Sequence, residues 1–238
     1  MAIIITIIII IIMDDIGQLH LLLAWTSPSY PTGAFSYSQG LEWAVEAGDV
    51  CDVDGLFAYG EALARHGALA IDAALFAQAW RAVPDDAALD DIAAIAAAWR
   101  GSAEAALESH QQGSAFLATL RATMPHPRIE GFAGRLAGRP VALSTAIALA
   151  CAAHGIALGS ALNAFLHGVL ANLVSAAIRL GVTGQTGGQR AVARFSAIIP
   201  EVARKAMGAD PDRLGTSAAG LDLCALFHET QRVRLFRS

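Results

Sequence analysis

The sequence predicts an all-α protein, a single-domain bundle of roughly eight to ten helices behind an irregular N-terminal lead-in. Two observations carry this. From Asp54 onward alanine, leucine and glutamate dominate, with no sustained alternating segment that would mark strands. Across residues 160–180 the apolar side chains Leu162, Phe165, Leu166, Val169, Leu170, Leu173, Val174, Ala177 and Ile178 recur at three and four, the spacing of one buried helical stripe.

Residues 1–12, MAIIITIIIIII, hold nine isoleucines. They are too few to span a bilayer as a helix, lack the basic flank of a signal peptide, and are strongly β-prone. We set them aside as an artefact or a disordered segment, with Met13 near the native start and 13–238 as the folded domain. The lead-in follows as SPSYPTGAFSYSQGLEWAV, residues 27–45. There Pro28 and Pro31 restrict the backbone and Gly33 relieves it, while Phe35, Tyr37 and Trp43 are expected to pack the segment onto the bundle.

Helices are then expected over 55–83 with a break near Gly67, over 85–99 and over 102–123. Asp85 and Asp86 after Pro84 place negative charge on a helix N-terminus, and Ser102 has the chemistry of an N-cap. The stretch 124–140, with three prolines and three glycines, reads as connection. Pro140 suits the first turn of a helix running to about His154, and Ser160 suits the cap of the periodic helix. Asn163, His167, Ser175 and Arg179 fall on that helix's polar arc. Gly181 ends it, and VTGQTGGQR, residues 182–190, reads as a turn before the next helix.

Composition narrows the function. With 55% hydrophobic residues, 16% charged residues and a formal net charge of -5, the chain shows neither a nucleic-acid footprint nor the signature of disorder. Three well-separated cysteines, Cys51, Cys151 and Cys224, fit a reducing compartment, so cytoplasm is expected. The seven histidines show no paired metal-ligand spacing, and a phosphate loop, a GxSxG elbow and an HExxH motif are missing, which argues against an enzyme. One competing reading, a small membrane-associated helical protein, comes from the span between Arg139 and Arg179, which holds no Asp, Glu, Lys or Arg. The end of the chain, HETQRVRLFRS, sets Leu235 and Phe236 among arginines; composition fits a solvated tail and a docking tail equally well.

Three stretches in order, residues 27–45, NLVSAAIRLGVTGQTGGQR over 172–190 and HETQRVRLFRS over 228–238, resemble the urease accessory protein UreF family. The resemblance implies a non-enzymatic helical chaperone that helps insert nickel into apo-urease, bridging a UreD/UreH-type partner to a UreG-type GTPase and regulating it. A homodimer is implied, with nickel handled by the assembly and no cofactor or metal tightly bound to this chain. It further implies a flexible tail from about 228 to 238 that orders on the UreD/UreH-type partner, with His228, Glu229, Arg234, Leu235, Phe236 and Arg237 as partner-binding candidates. Gln185, Gln189 and Arg190 match the family's GQ element and become candidates for self-association or for the GTPase. The motif of Phe35, Ser36, Tyr37, Gln39, Gly40 and Glu42, behind Pro31 and Gly33, is expected to open the first helix. The chain departs from the family pattern in reading GVTGQ where many relatives have a proline-containing turn, and in LDLCALFHE before the tail.

Overall fold

A computed structural model describes residues 16–238, so the expectation for residues 1–12 lies outside the described residues. Among these residues the fold is all-helical, with eleven α-helices and two short 3-10 turns. In chain order they are α1 (Ile16–Trp25), α2 (Leu41–Glu46), α3 (Val53–His66), α4 (Ala68–Ala82), α5 (Asp86–Ala98), α6 (Ala103–Thr123), α7 (Pro127–Arg135), α8 (Leu143–Ala153), α9 (Leu158–Arg179), α10 (Gln185–Met207) and α11 (Ala219–His228). The count exceeds the expected range because α1 precedes the lead-in and α7 lies inside the expected connection. α2, which the FSYSQGLE element opens, is therefore not the first helix.

Side-chain caps mark several joints, at Asp85 and Ser102 where the sequence suggests them and at Asp52 where none is expected. Asp52 accepts from the Gly55 amide to start α3, and Asp85 accepts from the Ala87 and Ala88 amides at 3.0 and 3.1 Å to start α5. Ser102 accepts from Ala105 at 3.1 Å to start α6. Gly67 separates α3 from α4, and Gly181, at φ 78°, follows the end of α9.

Four expectations are corrected. The 124–140 stretch holds α7, because Pro127 sits at a helix start where its missing N–H costs nothing, and Ile129 and Phe132 bury against the core. α9 starts two residues before Ser160, with Ala157 preceding it and no side-chain cap. Pro140 lies outside α8, which begins at Leu143. The 182–190 segment is mostly helix: α10 begins at Gln185, and Gly187 and Gly188 are contact residues, since a Cβ on Gly188 would lie 2.7 Å from the Ile178 Cδ1 atom of α9.

Two apolar helices form the centre. α8 is buried without interruption from Ser144 to Cys151, and α4, which packs along it, buries Leu69, Ile71, Leu75 and Phe76, the last stacked on Phe165 of α9. Alanines at 146, 148 and 150 keep α8 thin, so that α4, α6 and α9 all pack around it. α10 closes the other side, where Phe195 stacks on Phe57 with ring centroids 5.2 Å apart. The stripe of α9 faces this core, with Val169 and Ile178 half-buried at its margins. Among the described residues α9 alone is long and apolar enough to cross a membrane, and half of its apolar window is buried inside the bundle, where α8 and α9 pack together.

α6 passes so close to the segment before α8 that a Cβ at Gly113 would lie 2.1 Å from the Val141 carbonyl oxygen. Gly113→Ala is expected to destabilise the fold by about 2–3 kcal/mol through overpacking. Gly134→Ala, with nothing within 4 Å, is expected to be neutral or slightly stabilising. Urea unfolding of both variants checks this; equal midpoints would contradict the close packing.

Candidate functional site

The N-terminal motif and the C-terminal tail, almost 200 residues apart in sequence, meet at one end of the bundle. Gly33 at φ 78° leads into a 3-10 turn, Ala34–Ser36, and Gln39 and Gly40, at φ 56° and 76°, then turn the chain into α2. A side chain at Gly40 would strike α11, with its Cβ 2.9 Å from the Ala225 amide, so glycine is required both by conformation and by space. Tyr37 is buried and its hydroxyl donates to Gln111; Asn172 donates to the Tyr37 carbonyl at 3.3 Å. Phe35, expected in the packing, instead stands 66% exposed.

Glu42 is the hub. It is buried, and its two oxygens accept from the backbone amides of Leu235 at 2.6 Å and Phe236 at 2.9 Å. The same carboxylate lies 3.1 Å from Nε2 of His228, whose Nδ1 is 2.6 Å from Glu104 on α6. His228 is fully buried, and each of its ring nitrogens faces a carboxylate. Glu104 also pairs with Arg234, and Glu229 accepts from the Ala103 and Glu104 amides at 2.7 and 3.3 Å, adding a second acceptor to the α6 N-terminus.

The last residues are laid along the bundle instead of extending into solvent. The Arg237 amide donates to the Ser36 carbonyl at 2.8 Å, and the Ser38 amide donates to the Ser238 carbonyl at 2.9 Å. Ser238 donates its hydroxyl to Glu108 at 2.6 Å, and Phe236 is buried. Arg179, at the end of α9, lies between the Phe35 and Phe236 rings, 3.7 and 4.3 Å from their centroids. Because the tail is held largely through its backbone, Val233 and Leu235 remain exposed, at 87% and 62%. Leu223, Leu226 and Phe227 of α11 add apolar surface beside them.

Beneath the tail lies a cavity of about 370 Å³ whose polar wall includes Asp72, Arg100, Glu108, Ser144 and Ser238. Arg100 grips Asp72 through two bonds of 2.9 and 2.8 Å, and Ser144 donates to the same carboxylate at 3.1 Å. Burial pushes the Glu108 carboxyl up to about 7, against the lowering effect of the Ser238 and Gln112 bonds and of Arg100. Burial also pushes the Cys151 thiol up to about 12, which removes it as a nucleophile. Among the described residues no group of three or more His, Cys, Asp or Glu side chains is placed to hold a metal ion.

The structure thus brings together Glu42, His228, Glu229, Arg234, Phe236 and Arg237, with Leu235 contributing its amide. Gln185, Gln189 and Arg190 do not join them; they are exposed on the first turns of α10 and make no hydrogen bond to the cluster. Ser38, Glu104, Glu108 and Arg179 are the site residues that sequence reasoning missed. A signal existed for two of them, since Glu104, Glu108 and Gln112 recur every four residues along α6, a polar stripe in a chain poor in charge.

Glu108 gives a pH prediction. With its folded-state value raised, it favours the folded state fully at acid pH, and that contribution is lost as pH rises from the ordinary carboxylate range through about 7. Glu108→Gln is expected to remove this slope and to raise stability above pH 7 by on the order of 2 kcal/mol. Urea midpoints measured from pH 5 to 8 test it; parallel profiles for the two proteins would contradict the buried-acid assignment.

The UreF family model matches residues 50–196. The urease accessory protein UreF of Methylobacterium sp. (strain 4-46) is 46% identical over 220 residues, 92% of this chain and 88% of that protein. The urease accessory protein UreF of Agrobacterium fabrum (strain C58 / ATCC 33970) is 44% identical over 225 residues, 94% of this chain and 98% of its own.

Proposed function

Because the chain belongs to the UreF family of urease accessory proteins, we propose that it is a cytoplasmic, non-enzymatic scaffold for nickel insertion into apo-urease. In this reading it docks a UreD/UreH-type partner through the tail end of the bundle, recruits a UreG-type GTPase, and works as a homodimer. Nickel is cargo of the assembly, with no cofactor held tightly by this chain, and any effect on GTP hydrolysis is regulatory.

The observation that carries the reading is how the tail is held. Glu42 takes the Leu235 and Phe236 amides, which fixes the backbone without using the Val233 and Leu235 side chains. An apolar strip with Arg232 and Arg237 exposed alongside offers what a protein partner needs: side chains for pockets, and guanidinium groups for carboxylates at the rim. The GQ element supports a second surface, since Gln185, Gln189 and Arg190 are exposed and uncommitted to the tail cluster. Its assignment to self-association or to the GTPase rests on the family resemblance.

The test is co-expression of residues 13–238 with the UreD/UreH-type and UreG-type proteins of the same source, followed by light scattering. A species whose mass accounts for all three supports the bridging role. A chain that stays separate from both partners, with apo-urease present, contradicts it. Leu235→Asp is expected to leave thermal unfolding unchanged while weakening the UreD/UreH-type complex at least about tenfold, the loss of one buried anchor; unchanged affinity would take the tail out of the interface.

A further inference from the structure

Arg179 is half-buried with only part of its guanidinium hydrogen-bonded. Its Nε donates to the Ser175 carbonyl at 3.2 Å and one terminal nitrogen donates to the Phe35 carbonyl, while the other is buried with no hydrogen-bond partner among the described residues. No carboxylate pairs with it among the described residues, and burial lowers its affinity for the proton. Two aromatic rings approach the guanidinium instead, its carbon lying 3.7 Å from the Phe35 centroid and 4.3 Å from the Phe236 centroid.

The two rings come from different parts of the chain and stand in different environments. Phe236 is buried, anchoring the tail, whereas Phe35 is mostly exposed on a 3-10 turn that contributes no buried residue. Without a cation between them, the Phe35 side chain has no other anchor on its short turn, and the register between this segment and the tail rests on two backbone bonds, from the Arg237 amide to the Ser36 carbonyl and from the Ser38 amide to the Ser238 carbonyl. A planar guanidinium can stack on two faces at once while donating in its own plane; the ammonium of lysine cannot do this.

We propose that Arg179 is a positioning residue for partner recognition: stacked between Phe35 and Phe236, it fixes the exposed Phe35 ring and the docked tail as one recognition surface. The proposal rests on the tail-end docking reading above and names Phe35 as part of that surface. Arg179 acts through the two rings and the Phe35 carbonyl and is not itself the contact with the partner.

Two measurements on the chain from Met13 test it. In binding titrations with the UreD/UreH-type partner, Arg179→Met and Phe35→Leu are each expected to weaken affinity about five- to tenfold. The double variant is expected to be no weaker than either single one, and Arg179→Lys is not expected to restore binding. In the free chain, Arg179→Met is expected to speed hydrogen exchange at the Arg237 amide while the α9 amides keep their protection, a split that a general loss of fold would not produce. Additive losses in the titration, or Arg179→Met binding like the parent while Phe35→Leu does not, would overturn the positioning role. Unchanged exchange at Arg237 would also overturn it, whatever the partner does. If Phe35→Leu and Leu235→Asp both bind normally, the docking reading and the recognition role assigned to Phe35 fall together, and faster exchange at Arg237 would then support only the stacking itself.

Discussion

One buried carboxylate organises this end of the protein. Glu42 cannot be left without partners where it sits, because an uncompensated charge in the interior costs several kcal/mol. The groups that satisfy it come from the far end of the chain: the Leu235 and Phe236 amides and the His228 ring. Closing that set draws α2, α11 and the tail together, and His228 extends it to Glu104 and so to α6. The result is a polar layer shared by three helices and a terminal segment, in which each member orients the next.

The layer sits on a closely packed apolar body. α8, buried from Ser144 to Cys151, is thin enough for α4, α6 and α9 to approach it together, and Gly113 lets α6 pass against the backbone ahead of α8. That close passage places Glu104 and Glu108, one turn apart on α6, under the tail. Glycine has a similar part at position 40, where α2 and α11 come within reach of a single Cβ. Small residues thus set the helix spacing, and the spacing in turn decides which polar groups can meet.

Much of the helical frame was legible in the sequence, because caps and periodicity are local signals. Asp85, Ser102, Gly67 and Gly181 mark real boundaries, and the α9 stripe faces the core. Where reading failed, one residue type served a second purpose. Pro127 starts α7 instead of breaking a helix, and Gly187 and Gly188 let α10 approach its neighbours instead of making a turn. The candidate site was half legible. Both end motifs stand out in composition and in family resemblance, yet nothing local says that Glu42 meets His228, and Arg179 reads as an ordinary polar-arc residue until two aromatic rings are seen on its faces. Phe35 was misjudged for the same reason, since an aromatic beside a helix start usually fills core and here it lies on the outside of a cation.

The dependence of the tail on Glu42 is most directly measured by native-state hydrogen exchange at the Leu235 and Phe236 amides, in the parent chain and in Glu42→Gln. If the carboxylate holds the tail, both amides are protected in the free parent and lose most of that protection in the variant, while the amides of α8 exchange as before. Exchange of Leu235 and Phe236 at unprotected-peptide rates in the parent chain would show that the tail is not held by Glu42, and the polar layer described here would not be what joins the two ends.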